Sequence, residues 1–254
     1  MLAAPTGALA EVFGTWQGEG LHVGRPHLFV RLAGCGVGCR FCDTPDALRR
    51  PDAFEVRGGV AGAVTGQNPV TPADAARHVA AVAAADGPFH RIAVTGGEPL
   101  EQPEFLAELL DELARRGAPP ILLETAGTEP DALRVVVDRL ATISMDLKLP
   151  SVARTAPAWD EHRAFLEIAR GSAAEVYLKA VVSDALDDAD WDRACGLVAD
   201  VAPELPLYVQ PETRRDGGLA ARPALLARLA TRARALGARD VRILPQVHKS
   251  LGID

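Results

Sequence analysis

From Thr71 onward the sequence alternates between short apolar runs and longer amphipathic ones, and this rhythm constrains the fold more than any other feature. The apolar runs at 91–95, 120–124, 142–146, 175–182, 207–210 and 241–244 read as strands. Helical patterns over 71–85, 103–116, 130–140, 159–170, 187–199 and 219–236 precede or separate them. The punctuation agrees. Thr71-Pro72 is a capping residue followed by proline at the first helical position, and Gly117, Gly171 and Gly237 close three of the helices. Strict alternation implies parallel strands joined by helical crossovers. The expected fold class is therefore α/β, a partial barrel of about six parallel strands with outer helices. A doubly wound sheet is the structural alternative. In either case the strand C-termini share one rim, where ligands bind.

The first seventy residues are less regular. Leu9 to Phe13 reads as a short strand, followed by the polar, glycine-spaced loop Gly14 to Gly20. His27 to Leu32 reads as a strand that runs directly into Gly34-Cys35-Gly36-Val37-Gly38-Cys39-Arg40-Phe41-Cys42. Residues 51–69 contain four glycines and read as a loop insertion or weak hairpin. No domain boundary or internal repeat is visible, so residues 1–254 are expected to form a single domain.

Three of the four cysteines lie in that one loop, spaced C-x3-C-x2-C. The interleaved glycines let the backbone curl so that the thiolates converge, and converging thiolates bind a soft metal centre. A structural zinc site needs a fourth ligand, which His22 or His27 could supply. An iron–sulfur cubane normally takes four thiolates, so three would leave one iron open to a small molecule. A disulfide is a third reading of the same cysteines. Cys195 stands apart in a helical stretch.

Composition narrows the function. Hydrophobic residues make up 48% of the chain, enough for a sizeable core. The formal net charge is −7 with no basic block, which argues against a nucleic-acid or anionic-membrane binder. Met1 to Ala10 has neither a basic region nor a long apolar core, and no apolar run reaches transmembrane length. Crowded cysteines without a disulfide framework fit a reducing compartment, and the expected location is the cytoplasm.

The cysteine spacing, with Phe41 just before the last cysteine, resembles the signature of radical S-adenosylmethionine (SAM) enzymes. Gly96-Gly97-Glu98-Pro99, which follows a strand, resembles their GGEP motif. The resemblance sharpens to one family, 7-carboxy-7-deazaguanine synthase, of the queuosine and deazapurine pathways. It rests on Gln17-Gly18-Glu19-Gly20, Phe29-Val30-Arg31-Leu32, Cys42-Asp43-Thr44, Val94 to Pro99, Glu124 to Thr128, Lys148 to Ser151, Gln210-Pro211 and the ending Leu244 to Gly252. These stretches span nearly the whole chain. The resemblance implies the radical SAM type of partial barrel and a lyase that converts 6-carboxy-5,6,7,8-tetrahydropterin to 7-carboxy-7-deazaguanine. The ring contracts and ammonia is lost. It also implies a 4Fe–4S cluster, SAM and Mg2+, an external one-electron reductant of the flavodoxin or ferredoxin type, and a homodimer.

Roles follow from the resemblance and from residue chemistry. Cys35, Cys39 and Cys42 are expected to ligate the cluster, and Thr44 to place an oxygen on Mg2+. Thr95, Gly96, Gly97 and Glu98 are expected around the methionine part of SAM, with Glu98 taking its ammonium. Ser144, Lys148 and Gln210 are placed near its ribose, carboxylate and adenine. Gln17 and Glu19 match a pterin edge, Glu19 accepting its guanidine-like N–H groups. Arg31, a cation in an apolar strand, needs an anion: the substrate carboxylate or a structural acid. His248 is expected near the substrate, in a tail of residues 245–254 that folds over the rim with the terminal carboxylate of Asp254. Two departures stand out. Ala126 replaces the asparagine of many relatives, and Ser144 to Lys148 is longer than the family's Ser-Pro-Lys. The Asp146-Leu147-Lys148 stretch also resembles glycyl-radical activating enzymes, which are the competing enzymatic reading. A non-catalytic zinc module is the other.

Overall fold

The structure, a computed structural model, describes residues 5–58 and 62–253. The expectations for Met1 to Ala4, for Gly59 and for the Asp254 carboxylate fall outside them. Ten strands form one sheet in the order β10-β9-β8-β7-β6-β5-β2-β1-β3-β4. Seven of them are mutually parallel: β2 (Pro26–Leu32), β5 (Arg91–Gly96), β6 (Ile121–Thr125), β7 (Thr142–Asp146), β8 (Glu175–Val182), β9 (Pro206–Pro211) and β10 (Asp240–Ile243). That is the alternation read from the sequence, plus the strand feeding the cysteine loop. β1 (Leu9–Trp16) runs antiparallel to β2. Residues 51–69 hold a hairpin of β3 (Ala53–Arg57) and β4 (Ala63–Gln67), which extends the sheet beyond β1. The sheet is open, with β10 and β4 as its edges.

Helices α1 (Pro72–Asp86), α2 (Pro103–Arg115), α3 (Pro130–Val136), α5 (Trp159–Arg170), α6 (Asp188–Val201) and α7 (Pro223–Ala235) are long enough to cover the sheet; α4 (Pro150–Ala153) and α8 (Val247–Leu251) are single turns. The Thr71 hydroxyl accepts from the Asp74 backbone N–H, which makes it the cap the sequence suggested. Two helix readings change. Residues 137–139 tighten into a 3-10 turn. The last long helix starts at Pro223 rather than Leu219, because Leu219 is held in a β-bridge to Thr213 and Pro223 suits a first turn.

Side chains alternate across each strand, so every second residue faces the helices and the rest face inward. The outward set, Leu28, Val30, Leu32, Ile92, Val94, Leu123, Ile143, Met145, Val176 and Leu178 among it, forms the main core with the helices. The inward set is layered. Phe29, Ala93, Leu122, Tyr177 and Tyr208 make an apolar middle layer with Phe13 from β1. Two residues further along the same strands come Arg31, Thr95, Glu124, Lys179 and Gln210, a polar layer at the C-terminal rim. The loop after β1 crosses this concave side, and Gly20 lies flat on Tyr177, where an added Cβ would come within 2.3 Å of the ring.

The opposite end of the interior holds His22, His27 and His90, with ring centroids 5.1 to 5.9 Å apart. His27 is fully buried and neither ring nitrogen has a partner. Burial, then the neighbouring His22, His90 and Arg91, hold its pKa down to about 3. His162, buried under Ala126, is likewise depressed to about 4, chiefly by burial. The unfolded chain therefore takes up these protons first as pH falls below about 6.5. The stability they contribute is complete above that value and is lost as pH falls toward the folded values. A His27→Phe variant should lose less stability than the parent between pH 7 and pH 5, by on the order of 2 kcal/mol, measured by anaerobic urea unfolding. Identical losses in the two proteins would refute the buried neutral histidine.

Candidate active site

Two motifs sixty residues apart in sequence are joined by backbone hydrogen bonds. Glu98 N–H donates to Gly34 O (2.8 Å), Gly97 N–H to Leu32 O (2.9 Å) and Gly34 N–H to Ala47 O (2.8 Å). A Cβ on Gly97 would come within 1.9 Å of Gly34 O and 2.9 Å of Ala47 O, so glycine is required for this joint. It seats the cysteine loop at the end of β2, on the rim. There an open cavity of about 210 Å³ is lined by Cys35, Cys39 and Cys42 together with Thr95, Gly96 and Gly97. The three thiols are half-buried and unbridged, whereas Cys195 is fully buried in α6 and belongs to the core. Burial pushes the Cys39 thiol up to about 11 and raises Cys35 as well, so a metal centre must displace protons to bind. His22 and His27, the candidate zinc ligands, sit in the lower layer and line no part of this cavity.

The rim also carries four alternating, largely buried charges. Lys179 pairs with Glu19 and lies 3.5 Å from Asp146 Oδ2, which also accepts from Lys148 Nζ at 2.8 Å. Burial opposes every one of these charges. Lys179 nonetheless holds Glu19 below its ordinary range, and Lys148 does the same for Asp146. Glu19 in turn keeps Lys179 well above its own range. Lys148 is thus a buried partner rather than a surface salt bridge, with its Nζ 5.4 Å over the Phe41 ring. Gln17 is buried, and its Nε2 donates to Glu124 Oε1 (2.8 Å).

Arg31 has found an anion in the protein. Its Nε donates to Glu11 Oε1 at 2.7 Å, and Arg57 binds the other oxygen of the same carboxylate at 2.7 Å. Two guanidiniums thus share one carboxylate, and Arg31 also lines the cavity. Thr44 lines it too, with Oγ1 3.9 Å from Cys42 Sγ. The tail reaches back over the rim as α8. Val247 N–H donates to Gly18 O (2.9 Å), and Gln246 Nε2 bridges Glu19 (2.7 Å) and Asp43 (3.1 Å). Lys249 pairs with Asp43 at 3.1 Å and His248 lines the cavity. Burial would raise the Asp43 pKa, but Lys249 above all holds it down at about 2.

The model of the radical SAM superfamily matches residues 30–182. A 7-carboxy-7-deazaguanine synthase from Geobacter sulfurreducens is 36% identical over 99% of both chains. One from Methanopyrus kandleri is 36% identical over 94% of this chain and 91% of its own. This chain belongs to the 7-carboxy-7-deazaguanine synthase family. The QueE structure from Escherichia coli shares the fold at a TM-score of 0.56, with 21% identity and coverage of 96% and 95%.

The cofactors of this radical SAM family can be tested against the donors present. The three loop thiols, and no fourth ligand from His22 or His27, match a cluster with one open iron. Two buried acceptors in the cavity lining, Asp146 Oδ1 and Gln210 Oε1, have no partner among the described residues. Unpaired buried acceptors are costly, and a ligand that carries hydroxyl and amine donors, as SAM does, would fit such a lining. For Mg2+, a hard ion, Thr44 Oγ1 offers oxygen beside the cluster. Glu19, Asp43 and His248 also bring ligand atoms within 4.8 Å of one another at the mouth.

Two residues expected around SAM in this deazaguanine synthase, Glu98 and Ser144, lie outside the cavity lining. The Glu98 carboxylate is 1% exposed and fully engaged inside the protein. It accepts from Thr125 Oγ1 (2.8 Å), Ala126 N–H (2.7 Å) and Leu100 N–H (3.1 Å). Burial lifts its pKa to about 7, and it does not line the cavity, so it braces the rim instead of meeting SAM's ammonium. Ser144 lies in the middle layer, one step too deep, and does not line the cavity; Asp146, two residues on, does. Asp146, Lys179, Glu124 and Gln246 were missed as site residues. The signal for Lys179 was the one that singled out Arg31, a lone cation in an apolar strand.

Alanine at Cys35, Cys39 or Cys42 should abolish iron binding above background in anaerobically reconstituted protein, while Cys195→Ala keeps full iron and sulfide. Loss of iron in Cys195→Ala with retention in a loop variant would invert the ligand assignment.

Proposed function

We infer that the protein converts 6-carboxy-5,6,7,8-tetrahydropterin to 7-carboxy-7-deazaguanine, the product that its family name states. The observation that carries this reading is a single rim cavity. The cluster cysteines line it together with a pterin-type acceptor set, Gln17 and Glu19. When bound, the cluster and SAM supply a carbon-centred radical for abstraction of the substrate's C6 hydrogen. The chain's own part is to hold and enclose. Glu19 is kept ionised by Lys179, so it accepts charge-assisted hydrogen bonds from the guanidine-like edge. Arg31, sharing Glu11 with Arg57, retains unpaired N–H groups for the substrate carboxylate. Thr95, Gly96 and Gly97 shape the methionine side, Lys148 meets the SAM carboxylate and Gln210 the adenine. Thr44 places its oxygen on Mg2+. His248 and α8 cover the mouth and keep water out.

The small-molecule reaction needs one electron from outside, and we assign that role to a flavodoxin- or ferredoxin-type carrier in the cytoplasm, with the enzyme acting as a homodimer. Among the described residues no helix is long and apolar enough to cross a membrane.

Reconstituted enzyme incubated with the carboxytetrahydropterin, SAM, Mg2+ and reductant should form the deazaguanine, detected by mass spectrometry. SAM cleavage without that product would sink the substrate assignment and favour a glycyl-radical activase. The tail has its own test. Deleting residues 249–254 removes the Lys249–Asp43 pair but no cluster ligand. Iron content should be unchanged and product formation should fall about tenfold or more, a barrier change of ~1.4 kcal/mol. Parental turnover in the truncated protein would show the tail to be dispensable.

A further inference from the structure

We propose that Lys179 is a shared counter-ion that couples occupancy of the pterin side of the cavity to occupancy of the SAM side. This rests on the assignment of Glu19 to the pterin and Lys148 to the SAM carboxylate. The four charges Glu19, Lys179, Asp146 and Lys148 form an alternating chain across the rim, each side chain 16% exposed or less. All four line the cavity, and the two ends of the chain are assigned ligands of opposite character. Glu19 meets N–H donors and Lys148 meets a carboxylate. Lys179 sits between them on β8 because the strand alternation Tyr177-Lys179-Val181 turns it inward, above the apolar middle layer.

In this low-dielectric setting each ion's hold on its neighbour depends on what else that neighbour binds. Glu19 now carries Lys179 and Gln246 Nε2. Pterin N–H groups that take part of its charge weaken its grip on Lys179. The ammonium then leans on Asp146, whose Oδ2 lies 3.5 Å away. Asp146, better neutralised, holds Lys148 less tightly, and Lys148 is released toward an anionic ligand. Run in reverse, a carboxylate that draws Lys148 off Asp146 leaves Asp146 to hold Lys179, which frees Glu19. Glu124 is the other acid acting on Lys179, but Gln17 caps it and it does not belong to the chain of ion pairs. Coupling of this kind is reciprocal. Lys179 is thus assigned a positioning role, making the radical precursor bind well only beside its substrate.

The test is equilibrium binding, with reductant omitted so that nothing turns over. SAM is titrated calorimetrically into anaerobically reconstituted enzyme with and without saturating carboxytetrahydropterin. The parent should bind SAM about tenfold more tightly with pterin present. Lys179→Met should bind both ligands with that ratio collapsed to about one, whereas Lys179→Arg, which keeps the charge, should retain most of it. A merely structural lysine would leave the ratio equal in all three proteins. Should Lys179→Met fail to fold, by iron content and thermal unfolding, Lys179→Gln, which is neutral but polar, leaves Glu19 in place and carries the same expectation. A parental ratio of one, or an unchanged ratio in the methionine or glutamine variant, overturns the proposal. Failure of the underlying assignment looks different: Glu19→Gln would leave pterin affinity intact, or Lys148→Met would leave SAM affinity intact.

Discussion

Burying a charged side chain is costly unless an opposite charge or a set of hydrogen-bond donors meets it, and the rim of this sheet is built under that constraint. Glu19 arrives on a loop, Asp146 and Lys148 from the end of β7, and Lys179 from β8. None could be buried alone. Together they fix where the loop after β1 lies, how the end of β7 is oriented and where the tail docks, since Gln246 and Lys249 bind into the same set through Glu19 and Asp43. Removing one partner would leave an uncompensated charge, which costs more than the pair gains. The geometry of the cavity is therefore a consequence of charge neutralisation among elements far apart in the chain.

The second dependence is mechanical. The glycine motif after β5 and the cysteine loop after β2 are usually thought of as two ligand-binding signatures, but here they are one joint. Gly97 packs backbone to backbone on Gly34, and Glu98 N–H closes the contact. The buried Glu98 carboxylate extends the joint to Thr125 and Ala126 on the next strand. His162 Nε2–H then donates to Ala126 O at 3.1 Å, anchoring the rim to α5.

Much of this was readable in the sequence because it depends on local rules. Helix caps, glycine stops and apolar runs located the parallel strands, with 142–146, 159–170 and 175–182 matching to the residue. The cysteine spacing and the position of motifs after strands located the rim. What could not be read depends on the third dimension. Whether Glu98 faces a ligand or the protein interior is decided by Ala126 and Thr125, which the chain reaches only a helix and a strand later. Ser144 and Asp146 differ only in depth along one inward face, and depth follows from the register of β7 against β6 and β8. Arg31 could not be assigned an anion before Glu11 was known to lie opposite it on β1. Lys179 was visible as a lone cation in an apolar strand, yet its meaning required Glu19, 160 residues away.

The central claim is that one cavity holds the radical precursor and the pterin in contact. Hydrogen transfer between them measures that contact most directly. Enzyme supplied with pterin deuterated at C6, SAM, Mg2+ and reductant should yield deazaguanine while deuterium accumulates at the 5′ position of recovered SAM or 5′-deoxyadenosine. Cleavage of SAM that leaves the 5′ position free of deuterium, with the pterin returned fully labelled, would contradict it.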